Sequence, residues 1–317
     1  MKTLVSIIAP MYNEGALVHE YCKEMLTMAL EISNTYDLEL ILVNDGSKDN
    51  TYDLMLQEQN LHPDIISTIC LSRNFGLEGA VNAGLRMAKG DAIIVMDADL
   101  QDPPSLIPQM LKKWRDGADI VVCSRIKRSN DTLFKKMGAN IYYKVMDSLS
   151  GKLKLEKSAA NFRLLSRKAL NQVLELPEVN SVFRVVVPYI GMNTAVIGYD
   201  RDKRFAGETK YNLKKMIPYA LDSITGISVE PLRKLKNFII LMLLFSCIFI
   251  IVAFTFPSPL NSTFIILSYI SLCFVFLFIG VSVIAEYLAQ IMTEVKGRPI
   301  SIIYDYTPSK SALERMH

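Results

Sequence analysis

The sequence predicts an α/β fold: a mostly parallel sheet covered by helices, followed by amphipathic interfacial helices and a two-helix transmembrane hairpin. Three observations carry this. Short β-branched runs alternate with helix-spaced segments from Leu4 to Cys123, the pattern of a parallel sheet with both faces covered. Polar clusters follow the strands, at the carboxyl ends where such sheets bind ligands. Phe238 to Ala285 then runs through two long apolar stretches without one charged residue.

The elements are expected in order. Strands are predicted at Leu4–Ala9, Leu38–Val43, Ile65–Leu71, Ala92–Met96 and Asp119–Cys123. Helices are predicted at Gly15–Ile32, Asp49–Gln59 with Asp49 as N-cap, Leu77–Lys89 and Pro104–Asp116. The later half is less regular. Leu133–Leu149 reads as a helix, Asn161–Leu165 as a strand with a helix from Arg167, and Thr194–Gly198 as a strand. Leu213, Met216, Ile217, Ala220, Leu221, Ile224 and Ile227 form a helical stripe. That stripe suits the membrane interface or a helix packed on the soluble core. The divisions that follow are a catalytic domain at 1–211, a juxtamembrane segment at 212–236, a hairpin at 237–288 and a C-terminal tail at 289–317.

The apolar stretches, 238–256 and 264–285, would each cross a hydrocarbon layer of ~30 Å as helices; buried core helices are the alternative. Arg233, Lys234 and Lys236 precede the first, and Lys296 and Arg298 follow the second. The positive-inside rule puts both ends in the cytoplasm and the short link outside. The run Leu4–Ala9 is short and is followed by Pro10, Asn13 and Glu14, so no signal peptide is expected there. With 317 residues, 50% of them hydrophobic, there is room for one soluble domain plus the hairpin. A net charge of +3 does not point to nucleic acid. The excess of Lys and Arg between Arg201 and Lys236 suits anionic headgroups and phosphorylated substrates. The five cysteines, Cys22, Cys70, Cys123, Cys247 and Cys273, are scattered and form no Cys-x-x-Cys pair. They read as reduced residues, not as a zinc site or disulfide set.

The chemistry concentrates in Asp97-Ala98-Asp99-Leu100-Gln101-Asp102. Two carboxylates two residues apart at a strand end can reach one hard cation, Mg²⁺ or Mn²⁺, which takes oxygen ligands and shares substrate phosphates. A solvated helix-capping cluster is the bland alternative, since Asp-x-Asp alone is weak evidence. Gly76, Gly79 and Gly84 do not make Gly-x-Gly-x-x-Gly, so no dinucleotide site is expected.

The motif has company. Pro10-Met11-Tyr12-Asn13-Glu14 follows the first strand, Asn44-Asp45-Gly46-Ser47 the second, and Arg73-Asn74-Phe75-Gly76 the third. With the Asp-x-Asp after the fourth, the chain resembles the inverting family-2 glycosyltransferases of GT-A (nucleotide-diphospho-sugar transferase) fold. Phe162-Arg163-Leu164, Arg184 with Pro188-Tyr189-Ile190-Gly191, and Arg201-Asp202-Lys203-Arg204 through Thr209-Lys210-Tyr211 narrow the resemblance. With the two apolar stretches, they are similar to the polyprenyl-phosphate glycosyltransferases, a group that includes the bactoprenol glucosyltransferases and resembles dolichol-phosphate mannose synthase.

The resemblance implies a metal-dependent hexosyltransferase at the inner (plasma) membrane of a bacterial cell, with Mg²⁺ or Mn²⁺ as cofactor. It implies transfer from a nucleotide-sugar, expected to be UDP-glucose or another UDP-hexose, to a polyprenyl phosphate such as undecaprenyl phosphate. The product would serve cell-wall or surface-polysaccharide glycosylation, and a homo-oligomer, a tetramer, is a further expectation. By the same resemblance, Pro10, Tyr12, Glu14 and Asp45 would line the nucleoside pocket, and Asp97 would face ribose and diphosphate. Asp99 and Gln101 would hold the metal. Arg204 and Lys210, counted with Asp97 and Asp99 as catalytic, would bind phosphate with Thr209. Asn161, Arg163, Arg184 and Arg201 would complete the acceptor side. Many relatives carry Asp where this chain has Asn161, and there it has been proposed as a base. An amide takes no proton at neutral pH, so the base is left unassigned. A phosphate monoester, with a second pKa of ~6, needs little deprotonation. A different lipid acceptor such as diacylglycerol, and a non-catalytic membrane adaptor, are the competing readings.

Overall fold

The computed structural model describes residues 2–125, 159–178, 182–200, 230–255 and 259–315. The chain divides into two compact units. The first contains the sheet, with strands β1 (Thr3–Met11), β2 (Tyr36–Asn44), β3 (Ile66–Leu71), β4 (Ala92–Val95), β5 (Ile120–Arg125), β6 (Ala159–Ser166), β7 (Thr194–Tyr199) and β8 (Ile303–Thr307). Their order is β7-β5-β6-β4-β1-β2-β3-β8. The pairs β1–β2, β1–β4, β2–β3 and β5–β7 are parallel, and β6 and β8 are the antiparallel members.

Six helices of this unit lie between the strands: α1 (Gly15–Ile32), α2 (Thr51–Leu61), α3 (Leu77–Met87), α4 (Ile107–Arg115), α5 (Arg167–Glu175) and α6 (Phe183–Tyr189). Tyr21, Met25, Met55, Ile107 and Met110 from α1, α2 and α4 pack on one face of the sheet. Ala80, Val81, Leu85, Leu170, Phe183 and Val187 from α3, α5 and α6 pack on the other. The two-sided burial predicted from the alternation of strands and helices is therefore present.

The differences from expectation have local causes. Strand β1 continues through Pro10 and Met11, which pair with Val43 and Asn44. The β1–β4 pairs end at Ile8 and Val95, so Pro10 withholds no amide that β4 would need. Helix α2 starts at Thr51, with Asn50 and not Asp49 at the cap. Asp49 instead accepts from the Thr51 amide (3.1 Å) and hydroxyl (2.5 Å) just before the helix. The segment predicted from Pro104 to Asp116 is a 3₁₀ turn, Pro104–Leu106, leading into α4, where Pro108 occupies the first turn that tolerates it. Helix α6 and strand β8 were not anticipated. The segments 133–149 and 213–227, expected to be helical, lie outside the described residues.

The tail after the apolar stretches does not stand apart. Residues 298–315 belong to the sheet unit, because β8 pairs with β3 and closes its edge. A last helix, α9 (Lys310–Leu313), is capped by Ser309, which accepts from the Ala312 amide. The Ser309 amide donates to Ser67 Oγ at 2.9 Å, and that hydroxyl reaches Glu39 Oε1 at 3.4 Å. Glu39 is wholly buried and also accepts from Ser6 Oγ (2.5 Å) and the Lys89 amide (3.1 Å). Burial raises its carboxyl pKa, and the bonds from Ser6, Lys89 and Ser67 act against that.

The second unit contains helices α7 (Glu230–Thr255) and α8 (Pro259–Lys296). They run antiparallel: Phe249 meets Tyr269 at 5.3 Å between ring centroids, and Phe245 meets Phe276 at 6.2 Å. Tyr269 donates to Ser246 Oγ at 2.8 Å. Ile265–Lys296 is long and apolar enough to cross a membrane, with mean hydropathy 2.5 over its best window and none of that window buried. In α7 the described apolar stretch is shorter, Ile240–Ile251. Helix α8 passes the predicted end at Ala285 because Glu286 to Lys296 contains no helix breaker, and it stops at Gly297 with φ +57°. Its 38 residues measure about 57 Å, more than a ~30 Å hydrocarbon layer needs. Ile248, Ile251, Phe274, Phe278 and Ile284 are exposed, an apolar surface that suits lipid and is costly in water. These features are compatible with membrane association.

Glu39→Ala would leave the Lys89 amide and two hydroxyls without their buried acceptor. It should lower stability by about 1–3 kcal/mol, read as a lower midpoint of denaturant unfolding of the purified protein. An unchanged midpoint would mean that the Glu39 contacts do not hold β1, β2 and β3 together.

Candidate active site

The predicted site residues that fall within the described chain lie at the carboxyl ends of β1, β2 and β4, on β6, and at the start of α6. Each loop is fixed by a neighbour. Asn13, with φ +50°, donates from its amide to Ser47 Oγ (2.9 Å) and accepts at Oδ1 from the Lys48 amide (2.8 Å). The Glu14 amide donates to Thr51 Oγ1 at 2.9 Å. The loop carrying Tyr12 and Glu14 is thereby tied to the loop after β2.

Asp45 ties that second loop to the third. Its Oδ1 accepts from the Phe75 amide (2.7 Å), and its Oδ2 from the Gly76 amide and Asn74 Nδ2 (3.0 Å each). Gly46 makes the approach possible. It has φ +61°, and a Cβ there would stand 2.4 Å from the Arg73 carbonyl carbon. Gly76, with φ +86°, turns the chain into α3, a conformation that side chains disfavour. Asp45, expected to line the nucleoside pocket, organises the Arg73–Gly76 loop through its carboxylate. Burial pushes its pKa up to about 6, against the opposing bonds from Phe75 and Gly76 and the charge of Arg73.

The centre of the site is set by strand register. β4 and β6 are antiparallel, with Val95 opposite Arg163 and Ile93 opposite Leu165. Extending that register by two residues brings Asp97 opposite Asn161. The Asn161 amide does hydrogen-bond the Asp97 carboxylate. Its Oδ1 accepts from Arg184 Nε at 2.8 Å. Arg163 shares the Asn161 side of β6, is buried, and donates from Nη1 to the Arg184 carbonyl at 3.2 Å. Two predicted acceptor-side residues thus hold a third. Burial raises the Asp97 pKa, the charges of Asp102 and Asp99 raise it further, and Arg184 and the Asn161 bond lower it.

Asp99 and Gln101 lie beyond Asp97 in a loop whose Leu100 has φ +53°. Asp99 Oδ1 accepts from the Gln101 amide at 3.2 Å. Asp97, Asp99 and Gln101 are partly exposed oxygen donors, which suits a hard cation. Among the described residues no three His, Cys, Asp or Glu side chains gather into a cage of their own. A cation at Asp99 and Gln101 would need substrate phosphate oxygens to complete its ligands, as Mg²⁺ commonly does. Pro10 lies at the end of β1. Arg201, Arg204, Thr209 and Lys210 lie outside the described residues.

Sequence reasoning missed the support beneath this loop. Asp102 is fully buried, accepts from the Tyr199 hydroxyl, and pairs with Arg125 Nη2 at 3.6 Å. The signal was present in part, since Asp102 ends the carboxylate motif. Nothing in the sequence linked it to the ends of β5 and β7.

The sequence profile of glycosyl transferase family 2 matches residues 6–174. An uncharacterized glycosyltransferase, YkcC, of Bacillus subtilis is 36% identical over 94% of this chain and 92% of its own length. The bactoprenol glucosyl transferase of Shigella phage SfII is 34% identical over 94% of this chain and 97% of its own. The prophage bactoprenol glucosyl transferase homolog of Escherichia coli K12 is 34% identical over 94% and 98%. Among solved structures, glucosyl-3-phosphoglycerate synthase from Mycobacterium tuberculosis superposes with a TM-score of 0.49 at 16% identity, over 70% of this chain and 78% of that one. A likeness that loose does not bear on function.

Asp45 binds its proton more tightly in the fold than its ordinary value near 3.8 allows in an unfolded chain. Its contribution to stability is therefore fully present below about pH 4 and falls as pH rises through about 6. Asp45→Asn should remove that segment of the pH–stability curve, measured by thermal melting between pH 4 and 7. A curve identical to wild type would show that Asp45 is not the group titrating there.

Proposed function

We propose that this chain, which belongs to glycosyl transferase family 2, transfers a sugar from a nucleotide-sugar to a polyprenyl phosphate at the cytoplasmic face of a bacterial membrane. The donor is a UDP-hexose such as UDP-glucose, and the acceptor is undecaprenyl phosphate or a close homologue. The observation that carries the reading is the junction at Asp97. A carboxylate of the oxygen-donor loop and the guanidinium of Arg184 meet through one amide, Asn161. That arrangement supports binding a cation-held diphosphate and an anionic acceptor in one site. The bactoprenol glucosyl transferases named above support the acceptor class.

In this mechanism Pro10, Tyr12 and Glu14 line the nucleoside pocket, with Asp45 holding the loop that closes it. Asp97 orients the ribose and diphosphate. Asp99 and Gln101 hold Mg²⁺ or Mn²⁺, which when bound neutralises charge developing on the leaving diphosphate. Arg184, fixed by Asn161 and Arg163, faces the acceptor phosphate; Arg201, Arg204, Thr209 and Lys210 add phosphate contacts from the following basic segment. The acceptor oxygen attacks the anomeric carbon as the nucleoside diphosphate leaves from the opposite face, inverting the configuration. No carboxylate is assigned as base. Asn161 spends its two polar atoms on Asp97 and Arg184, and a phosphate monoester with a second pKa of ~6 is largely dianionic at neutral pH.

The helices α7 and α8 would form the anchor, crossing as a hairpin with the basic flanks Arg233, Lys234, Lys236, Lys296 and Arg298 in the cytoplasm. The return of residues 298–315 to the sheet unit supports a C-terminus on the same side as the sheet.

Asp99→Asn is isosteric but removes the charge of one ligand. It should leave the fold intact and lower transfer of radiolabelled sugar to undecaprenyl phosphate at least about 100-fold at fixed metal. Full activity in EDTA, with Asp99→Asn also near wild type, would refute the metal role. A cysteine at Ser258 should label from outside intact cells, and a reporter after His317 should remain inside. An external C-terminal reporter would remove the hairpin.

A further inference from the structure

The loop from Asp97 to Asp102 is held from below. Leu100 packs against the core on the α1–α4 side of the sheet, and Asp102 is fully buried. Asp102 is turned inward, while Asp99 and Gln101 remain partly exposed. The backbone does not adopt this shape freely. Leu100 has φ +53°, a left-handed conformation that a side-chain-bearing residue rarely adopts. Something must over-determine it.

Upstream, β4 ends at Val95, and the Met96 amide donates to the Ile8 carbonyl at 3.0 Å. Downstream, Asp102 is the tie. A buried carboxylate is tolerated only with partners, and two come from strands far away in sequence. Arg125 and Tyr199 are the last register pair of the parallel strands β5 and β7. Being side by side, they reach the same oxygen: the Tyr199 hydroxyl donates to Asp102 Oδ1, and Arg125 Nη2 stands 3.6 Å from it. Arg125 Nε also donates to the Tyr199 hydroxyl at 3.3 Å. The three side chains close a ring, so Tyr199 both receives and passes on a hydrogen bond.

We propose that Tyr199 and Arg125 are positioning residues for the cation-binding loop, acting through Asp102 to hold Asp99 and Gln101 at the spacing that takes a metal-bound diphosphate. The inference rests on the donor-site reading given above. Neither residue touches substrate in this assignment. They act as outer-shell partners that fix the loop presenting the ligands, and loss of such partners typically lowers metal affinity ~10–100-fold.

The test uses the full-length protein in detergent, with Tyr199→Phe and Arg125→Lys as separate variants. Tyr199→Phe removes one hydroxyl and keeps the ring. Mn²⁺ binding is measured by electron paramagnetic resonance in the presence of UDP, and amide hydrogen exchange is followed across residues 97–103. Tyr199→Phe should weaken UDP-dependent Mn²⁺ binding about tenfold, speed exchange in 97–103, and leave exchange in β1 and β2 unchanged. Turnover should recover as Mn²⁺ is raised, so that the apparent KM for metal changes and kcat returns. Arg125→Lys keeps the charge and should show a smaller effect in the same direction. Wild-type Mn²⁺ affinity in folded Tyr199→Phe, or unaltered exchange across 97–103, would overturn the proposal. So would unfolding of both variants, which would make the ring a general structural support. If the wild-type protein itself binds no Mn²⁺ with UDP, the donor-site reading fails. If wild type binds and the variants bind equally, only the positioning role fails.

Discussion

The antiparallel entry of β6 between β4 and β5 is the constraint on which the site depends. The other central strands run parallel, and their loops gather at one end of the sheet. β6 enters from the opposite direction, so residues near its start, Asn161 and Arg163, reach that same end. Its register with β4 sets Asn161 opposite Asp97. A slip of one residue would turn Asn161 and Arg163 to the other face and put Phe162 in their place. The apolar residues prevent this, since Phe162 and Leu164 belong to one core cluster and Leu165 to the other. Hydrophobic packing thus fixes the position of a polar junction.

The first unit uses buried polar groups as fasteners between elements distant in sequence. Glu39 on β2 joins β1 through Ser6, β3 through Ser67 and the connection between α3 and β4 through the Lys89 amide, and Ser67 in turn receives the Ser309 amide from the C-terminal segment. Asp45 fastens the loops after β2 and β3. Asp102 fastens the loop after β4 to β5 and β7. Such groups add little net stability compared with an apolar core, because desolvation offsets much of the attraction. They are directional, however, and loops carrying ligand-binding atoms need direction more than bulk burial.

The C-terminal segment shows how chain connectivity and fold can part company. After α8 the chain returns to pair with β3, and β8 covers a strand edge that would otherwise be open to pairing with another chain. Tyr52 on α2 donates to Asp305 on β8 at 2.6 Å, and Arg315 Nη1 pairs with Asp91 at 3.0 Å. The sheet unit is therefore completed by residues that come after both apolar helices.

The sequence by itself determined the α/β class, the position of most strands and the order of the motif loops. Periodicity and apolar runs are local signals, and each loop motif follows its own strand directly. It also marked the apolar character of α7 and α8 and the oxygen-donor loop at Asp97, Asp99 and Gln101. Only the tertiary structure decided what the polar residues do to one another. Asn161 read alone was an amide where relatives carry an acid; the β4–β6 register makes it the bridge from Asp97 to Arg184. Asp45 read alone was one residue of a nucleoside pocket; the fold shows its oxygens organising the Arg73–Gly76 loop. Asp102, Arg125 and Tyr199 meet because β5 and β7 end side by side, and β8 joins the sheet across more than 200 residues from its partner β3. Local sequence encodes what one turn or one strand prefers, whereas register and buried hydrogen bonds exist only between segments that folding has already brought together.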